Sequence, residues 1–155
     1  MDLAKALKID SVSRLPLPLP LRVSRAASVA DAVTQMRQAK VGCVLVCEGE
    51  RMVGILTERD VMRRVLAAGK PLTLLVTECM TPCPVVVHRK DSVGAAIRKM
   101  EEGGYRHLPV VDEADRLVGV LAVKQIVRYL VEHFPGTFYN LPPDPHVIQQ
   151  EREGA

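Results

Sequence analysis

Two stretches of this chain repeat one another closely enough to fix its architecture. Met52-Val53-Gly54-Ile55-Leu56 and Leu117-Val118-Gly119-Val120-Leu121 differ only by apolar exchanges, and their glycines lie 65 positions apart. A unit of this size holds too little core to stand comfortably alone, so a chain that writes it twice must pack one copy on the other. The copies are unequal in one respect. Thr57 of the first is matched by Ala122, and Asp60 by Gln125. A shared frame with unequal polar groups separates what the fold requires from what a ligand requires.

In each copy a proline leads into a short strand, Pro20 before Leu21-Arg22-Val23 and Pro84 before Val85-Val86-Val87. Val29, Ala32, Val33 and Met36 then follow the spacing of one buried helix face, and Val93, Ala96, Ile97 and Met100 repeat it 64 positions on. Ser28 with Asp31 reads as a capping box, and Asp91 or Ser92 can cap the second helix. Next come an apolar strand (42–47; 108–111), a polar turn (48–51; 112–116) and a second strand around Gly54 or Gly119, the signature of a hairpin. A further helix closes each copy, 58–68 and 123–133. The offset grows to 65 between Met36 and Gly42, which aligns Val41 and Gly42 with Arg106 and His107.

The order β-α-β-β-α, written twice, predicts an α+β fold of the α/β-sandwich type: two three-stranded sheets related by a pseudo-two-fold axis, with two symmetry-related clefts between them. Such clefts are where small ligands bind. The sequence divides into an N-terminal extension (1–14), repeat one (15–69), a linker (70–79), repeat two (80–133) and a Pro- and aromatic-containing tail (134–155). The tail carries both phenylalanines, Phe134 and Phe138, and is expected to pack along its own or a partner subunit. Leu72 to Val76 of the linker should form a helical turn on the core.

Composition narrows the function. Aromatics are 3% with no Trp, which argues against stacking platforms for single-stranded nucleic acid. The net charge of +3 is spread along the chain, so no nucleic-acid stripe is indicated. The first eight residues alternate charged and apolar types and no stretch is long enough to span a bilayer, which sets a cytoplasmic location as the expectation. Cys43 with Cys47 and Cys79 with Cys83 have the spacing of metal-ligand pairs. Two ligands four apart on a strand would, however, lie roughly 13 Å apart. Neither a P-loop nor clustered carboxylates for magnesium are visible, and the expectation is a protein without catalytic residues or metal.

Three motifs in order on this doubled frame resemble a CBS-domain pair, or Bateman module: Gly54-Ile55-Leu56-Thr57-Glu58-Arg59-Asp60-Val61, Cys79-Met80-Thr81-Pro82, and Gly104-Tyr105-Arg106-His107-Leu108-Pro109-Val110-Val111-Asp112. The resemblance implies a regulatory module that binds an adenine nucleotide (AMP, ADP or ATP) and modulates a partner protein. It makes Asp60 the ligand of both ribose hydroxyls and Thr57 a sugar or phosphate ligand. A carboxylate has two acceptor oxygens that match a cis-diol, and a helix N-terminus favours phosphate. Arg106 and His107 would face that cleft from the other repeat as phosphate contacts, Arg106 with its permanent charge and planar fork. Tyr105, Leu108 and Pro109 would wall the adenine ring. Similar modules associate through their helices, so a homodimer is expected.

Alternatives stay open at this point. Thr57 and Asp60 also have capping-box spacing, and a ligand-free dimeric scaffold would need nothing more of them. NAD or S-adenosylmethionine would use the same adenosyl contacts. Arg59, Arg63 and Arg64 read first as a solvated face and second as phosphate contacts. The second cleft, with Ala122 and Gln125, is expected to hold nucleotide weakly or not at all.

Overall fold

The computed structural model describes residues 2–136. Helix α1 (Leu3–Ile9) and a 3-10 turn (Val12–Arg14) precede strand β1 (Arg22–Ser24), helix α2 (Val29–Ala39), strands β2 (Cys43–Glu48) and β3 (Arg51–Thr57), and helix α3, which starts as Glu58–Asp60 and continues as a π-helical turn over Val61–Leu66. A second 3-10 turn (Val76–Glu78) leads to β4 (Thr81–Pro82), β5 (Val87–His88), α4 (Val93–Gly103), β6 (His107–Val111), β7 (Leu117–Ala122) and α5 (Val123–His133). The tail beyond residue 136 lies outside the described residues.

The local chemistry that starts the helices is as the sequence predicts. Ser28 accepts a hydrogen bond from Asp31 N at 3.1 Å while Asp31 reaches back to Ser28 N. Ser92, not Asp91, caps α4, accepting from Ala95 N at 3.1 Å. Three apolar clusters result. Val29, Ala32 and Met36 of α2 meet Val44, Val46 and Leu56 in one repeat core, and Val93, Ala96 and Met100 of α4 meet Leu108, Val110 and Leu121 in the other. Between the repeats, Cys43, Leu45, Cys47 and Ile55 pack with Val120. Strand β2 is thus buried on both faces, which is why its sequence is a continuous apolar run instead of an alternation. Cys43 and Cys47 share the inter-repeat face, whereas Cys79 sits in the first repeat's core and Cys83 is exposed.

The structure departs from the sequence expectation in two ways. The first sheet has four strands, ordered β1-β2-β3-β4, and only the second, β5-β6-β7, has three. Strand β4, which precedes the second repeat's own sheet, pairs antiparallel with β3 of the first. The extra residue also sits elsewhere. Cys43 pairs with Thr57 and His107 with Ala122, and the ladders run in step to Cys47↔Met52 and Val111↔Leu117. The offset therefore stays at 64 through β2 and changes to 65 only in the hairpin turn, so the counterparts of Arg106 and His107 are Gly42 and Cys43. The left-handed caps Lys40 (φ 55) and Gly104 (φ 69) agree with this alignment.

The repeats are laced together by exchange of the segments that precede them. Val12 and Leu15 are buried in the second repeat's core, and Val76 in the first's. Val12 N donates to Asp91 O (2.8 Å) and Val93 N to Asp10 O (2.9 Å), while Val76 N donates to Ala27 O (2.9 Å) and Val29 N to Leu74 O (2.8 Å). Each pair is the other displaced by 64 positions, so the pseudo-two-fold axis is written in backbone hydrogen bonds. Buried Asp10 adds a side-chain tie, accepting from the Tyr129 hydroxyl of α5 and from Arg14 (2.7 Å).

The same exchange explains the paired glycines. A Cβ on Gly54 would lie 3.0 Å from Thr81 O and collide with Met80, and one on Gly119 would lie 3.0 Å from Leu17 Cβ. Each glycine lets the segment preceding the other repeat cross the sheet at backbone distance.

Candidate functional site: the inter-repeat clefts

Each repeat turns from its last strand into its last helix at a corner, and the two corners have nearly the same backbone. Thr57 has φ −107 and ψ 164; Ala122 has φ −110 and ψ 158. At the first, Thr57 Oγ1 accepts from Asp60 N (3.2 Å), and Asp60 Oδ2 accepts from Thr57 N (3.0 Å) and from the Thr57 hydroxyl (3.1 Å). Asp60 Oδ1 faces outward from this box, accepting from Thr81 Oγ1 (3.4 Å), with Arg64 Nε 3.7 Å away. The carboxylate is buried, 8% exposed. At the second corner Gln125 Oε1 accepts from Ala122 N (2.9 Å), and no side chain stands in for the threonine.

Two members of the first corner are not evident from sequence. Thr81 stands there only within the Cys79–Pro82 motif, and Arg64 reads first as a solvated face and second as a phosphate contact; in the structure both turn toward Asp60. The i,i+4 spacing of Asp60 and Arg64 on a helix carries that signal. Arg64 also donates to Met80 O (2.8 Å), holding the crossing segment against α3. The π-helical turn begins directly after Asp60, and such turns occur often at functional sites.

The stretch from Gly104 to His107 closes on the start of α3. Arg59 Nη1 donates to Gly104 O at 3.1 Å. Gly42, the counterpart of Arg106, leaves room for the His107 imidazole: a Cβ there would stand 3.1 Å from Nε2 and 3.7 Å from the Glu58 carboxyl carbon. Burial pushes the His107 pKa below its ordinary 6.5, opposed by Glu58 and reinforced by Lys124 and Arg106. Cys43, its counterpart, has its thiol pushed up to about 12 by burial and then by Glu58.

Arg106 and His107 line a cleft of about 1030 Å³, together with Glu58, Val61 and Met62 of α3. Its remaining walls come from the second corner with Val120, from residues 18–21, and from α2 with the Lys40–Cys43 stretch that follows it; Thr57 and Asp60 are not among its lining residues. The structure therefore joins Thr57 and Asp60 to Thr81, and joins Arg106 and His107 to the first turn of α3 through Glu58. Tyr105 is 37% exposed and lies over Gly103. Leu108 faces the second repeat's core at 1% exposure, and Pro109 is a buried strand position paired with Val120. Alternation along β6 turns Leu108 away from the cleft.

Among the described residues no helix is long and apolar enough to cross a membrane.

Comparison with known proteins agrees with this geometry. The family model described as "CBS domain" matches twice, at residues 12–67 and 76–132. The chain is similar to the meiotically up-regulated gene 70 protein of Schizosaccharomyces pombe, 38% identical over 105 residues, covering 67% of this chain and 14% of that protein. It is similar to a CBS domain-containing protein of Arabidopsis thaliana, 32% identical over 79% of this chain and 22% of that one. The chain thus spans a small part of the length of these relatives. Hypoxic response protein 1 of Mycobacterium tuberculosis is nearer in size, 33% identical over 68% of this chain and 75% of the relative. Among solved structures, CBSX2 in complex with AMP superposes with a TM-score of 0.66 at 26% identity, over 79% of this chain and 97% of that chain. The CBS domain protein of Pyrobaculum aerophilum complexed with AMP superposes at 0.72 and 24% identity, over 81% and 98%, and shows the shared fold. The chain belongs to the CBS-domain family and carries two CBS domains in tandem.

Proposed function

We propose that this chain is a ligand-sensing regulatory module that binds an adenine nucleotide of the AMP, ADP or ATP type at the Thr57–Asp60 corner and passes its occupancy to a partner protein. One observation carries the reading: the second corner keeps the same backbone with Ala122 and Gln125, so the hydroxyl and the charge of the first exceed what the turn requires. Asp60 Oδ1, outside the capping box, is the oxygen available to a ribose hydroxyl, and Thr81 and Arg64 stand beside it. Arg106 and His107 supply phosphate contacts from the opposite repeat, and Tyr105 and Pro109 walls for the adenine ring, while Leu108, on the other face of β6, anchors the strand in the second repeat's core. The AMP-bound CBSX2 structure supports an adenosyl ligand. Ligand bridging the repeats changes the partner's state only through different affinity for two arrangements of the module.

The exposed apolar stripe on α3 and α5, Met62 and Leu66 with Val123 and Val127, supports a homodimer. We place the module in the cytoplasm and assign it no catalytic step. A ligand-free scaffold has an observation of its own, since Thr57 and Asp60 already satisfy each other as a cap. NAD and S-adenosylmethionine remain rivals to the nucleotides.

Calorimetric titration with AMP, ADP, ATP, NAD and S-adenosylmethionine separates these readings. Saturable binding near one per chain that Asp60→Ala abolishes without unfolding the protein supports the proposal. No binding below about millimolar, an affinity near −4 kcal/mol, favours the scaffold instead.

A further inference from the structure

Helix α5 is apolar on two sides. Its inner side places Ile126 and Tyr129 in the second repeat's core. On its outer side Val123, Val127 and Val131 recur every fourth residue and line one groove with Lys124, Arg128 and Glu132; Arg106, at the head of that groove, is left to the nucleotide. Val123 is 43% exposed and Val127 50%. A solvated helix face carries polar residues, and valine forms helix less readily than the Lys, Glu or Gln that usually fill it. Three valines along such a face mark a surface that something covers. The groove is also basic. Lys124 and Arg128 have no carboxylate partner among the described residues, whereas Arg89, Lys90 and Arg116 of the same repeat all do.

We propose that residues 137–155 of the same chain turn back along α5 and cover this groove, with Phe138, Tyr139 and Leu141 on the valines and Asp144 reaching Lys124 and Arg128. Position favours this occupant first. Phe134 N donates to Leu130 O, and the Phe134 ring stands edge-on to Tyr129 at 6.5 Å, so the chain leaves α5 pinned at the foot of the groove. Reach favours it next. Val131 to Val123 spans about 12 Å of helix, and five extended residues span about 17 Å, so Thr137 to Leu141 suffice to run its length. Chemistry favours it last. The segment holds two of the chain's five aromatic residues, and Asp144, Glu151 and Glu153 against Arg152, in a chain whose net charge is +3. A second copy set α5 against α5 would bring Lys124 and Arg128 up to their own equivalents. The tail brings the opposite charge and, being tethered, an effective concentration on the order of millimolar. Met62 and Leu66 of α3 stay open for the homodimer, and nothing in the inference depends on the nucleotide at Asp60.

The test is nuclear Overhauser spectroscopy on the full chain with methyl-labelled valine. Cross-peaks should join the Phe138 and Tyr139 ring protons to the Val127 and Val131 methyls and persist on dilution. Chymotrypsin reads the same contact as a rate. Cleavage after Phe138 or Tyr139 should be about tenfold faster in Val127→Asp, because a charge under the docked aromatics favours the open tail. Lys124→Glu with Arg128→Glu should also speed cleavage, and Asp144→Lys added to that pair should slow it again. If Val127→Asp fails to fold, judged by its melting transition, the charge-reversed pair and its rescue decide. Absent cross-peaks, cross-peaks that vanish on dilution, or cleavage equally fast in wild type and variants each overturns the proposal. Loss on dilution would give the groove to another copy of the chain.

Discussion

The two strand-to-helix corners form an internal experiment. Their backbones agree to within a few degrees, and each is closed by a side chain three residues into the helix that accepts from the N-cap amide. One does this with a carboxylate and adds a hydroxyl; the other does it with an amide and adds nothing. A fold needing both groups at this turn would have kept both. The difference teaches that capping and charge are separable here: capping is shared, and the charge, together with Thr81 and Arg64, belongs to one side only.

The shared frame is the first thing to break, and it gives the largest effect. Gly54→Val should destabilise the protein by about 3 kcal/mol, the upper end for overpacking. The added side chain drives into Met80 and Thr81, and Thr81 is held in the β3–β4 ladder and cannot step back. Gly119→Val meets Leu17, whose segment is not in a ladder, so the cost should be only about 1 kcal/mol. Denaturant midpoints of the two variants check the inequality. Equal losses would mean that the crossing segments are equally rigid.

Separating charge from cap comes next. Asp60→Ala and Gln125→Ala each remove one capping acceptor, so each should cost about 1 kcal/mol in unfolding measurements. Only Asp60→Ala should weaken AMP, by about a hundredfold, the loss of a charge-assisted hydrogen-bonding group. Should Gln125→Ala weaken AMP as strongly, the asymmetry is not what selects the ligand. Transplantation is the milder test. Ala122→Thr with Gln125→Asp gives the second corner the polar pair of the first, and calorimetry should then find an additional nucleotide site about tenfold weaker than the first. It is weaker because Leu17 and Tyr129 stand where the first corner has Thr81 and Arg64.

The doubled sheets, the helix faces and the caps are legible in the sequence because their causes are local: apolar period, hydroxyl before helix, glycine at a crossing. What the sequence hides is long-range. Nothing near Val12 or Leu15 says that they fill the core of a repeat nearly eighty residues on, so residues 1–14 read as an extension. Strand β4 is only Thr81–Pro82, too short for any periodicity. The offset is easily misplaced because Val41-Gly42-Cys43 is apolar in any alignment, and the left-handed cap at Lys40 carries no glycine to mark it. At the site, Thr57 and Asp60 are readable as a pair, but Leu108 reads as a cleft wall, a position that strand alternation denies it. Which cleft is open depends on how α2 and α3 close over the sheets, and no motif spells that out.

The smallest effect concerns the strands that face each other across the axis, where His107 stands opposite the counterpart of Arg106 and Cys43 holds its own equivalent position. Burial lowers the His107 pKa below 6.5 in the folded protein, so the unfolded chain takes up its proton first as the solution is acidified. Stability from this group is fully present above the unfolded value and falls as pH drops through 6.5, levelling off once the pH is below the folded pKa. Cys43, with its thiol near 12, contributes nothing in that window. Melting temperatures measured between about pH 7.5 and 5.5 should therefore fall more in the wild type than in His107→Asn, which retains a polar side chain without the titration. Ligand turns the same group around. A phosphate beside the imidazole favours its protonated form, so on acidification AMP affinity should gain in the wild type relative to His107→Asn, whose remaining slope is that of the nucleotide's own phosphate, with its second pKa of about 6. Equal pH slopes for AMP in both proteins would remove His107 from the phosphate contacts and leave Arg106 as the basic residue of that strand facing the nucleotide.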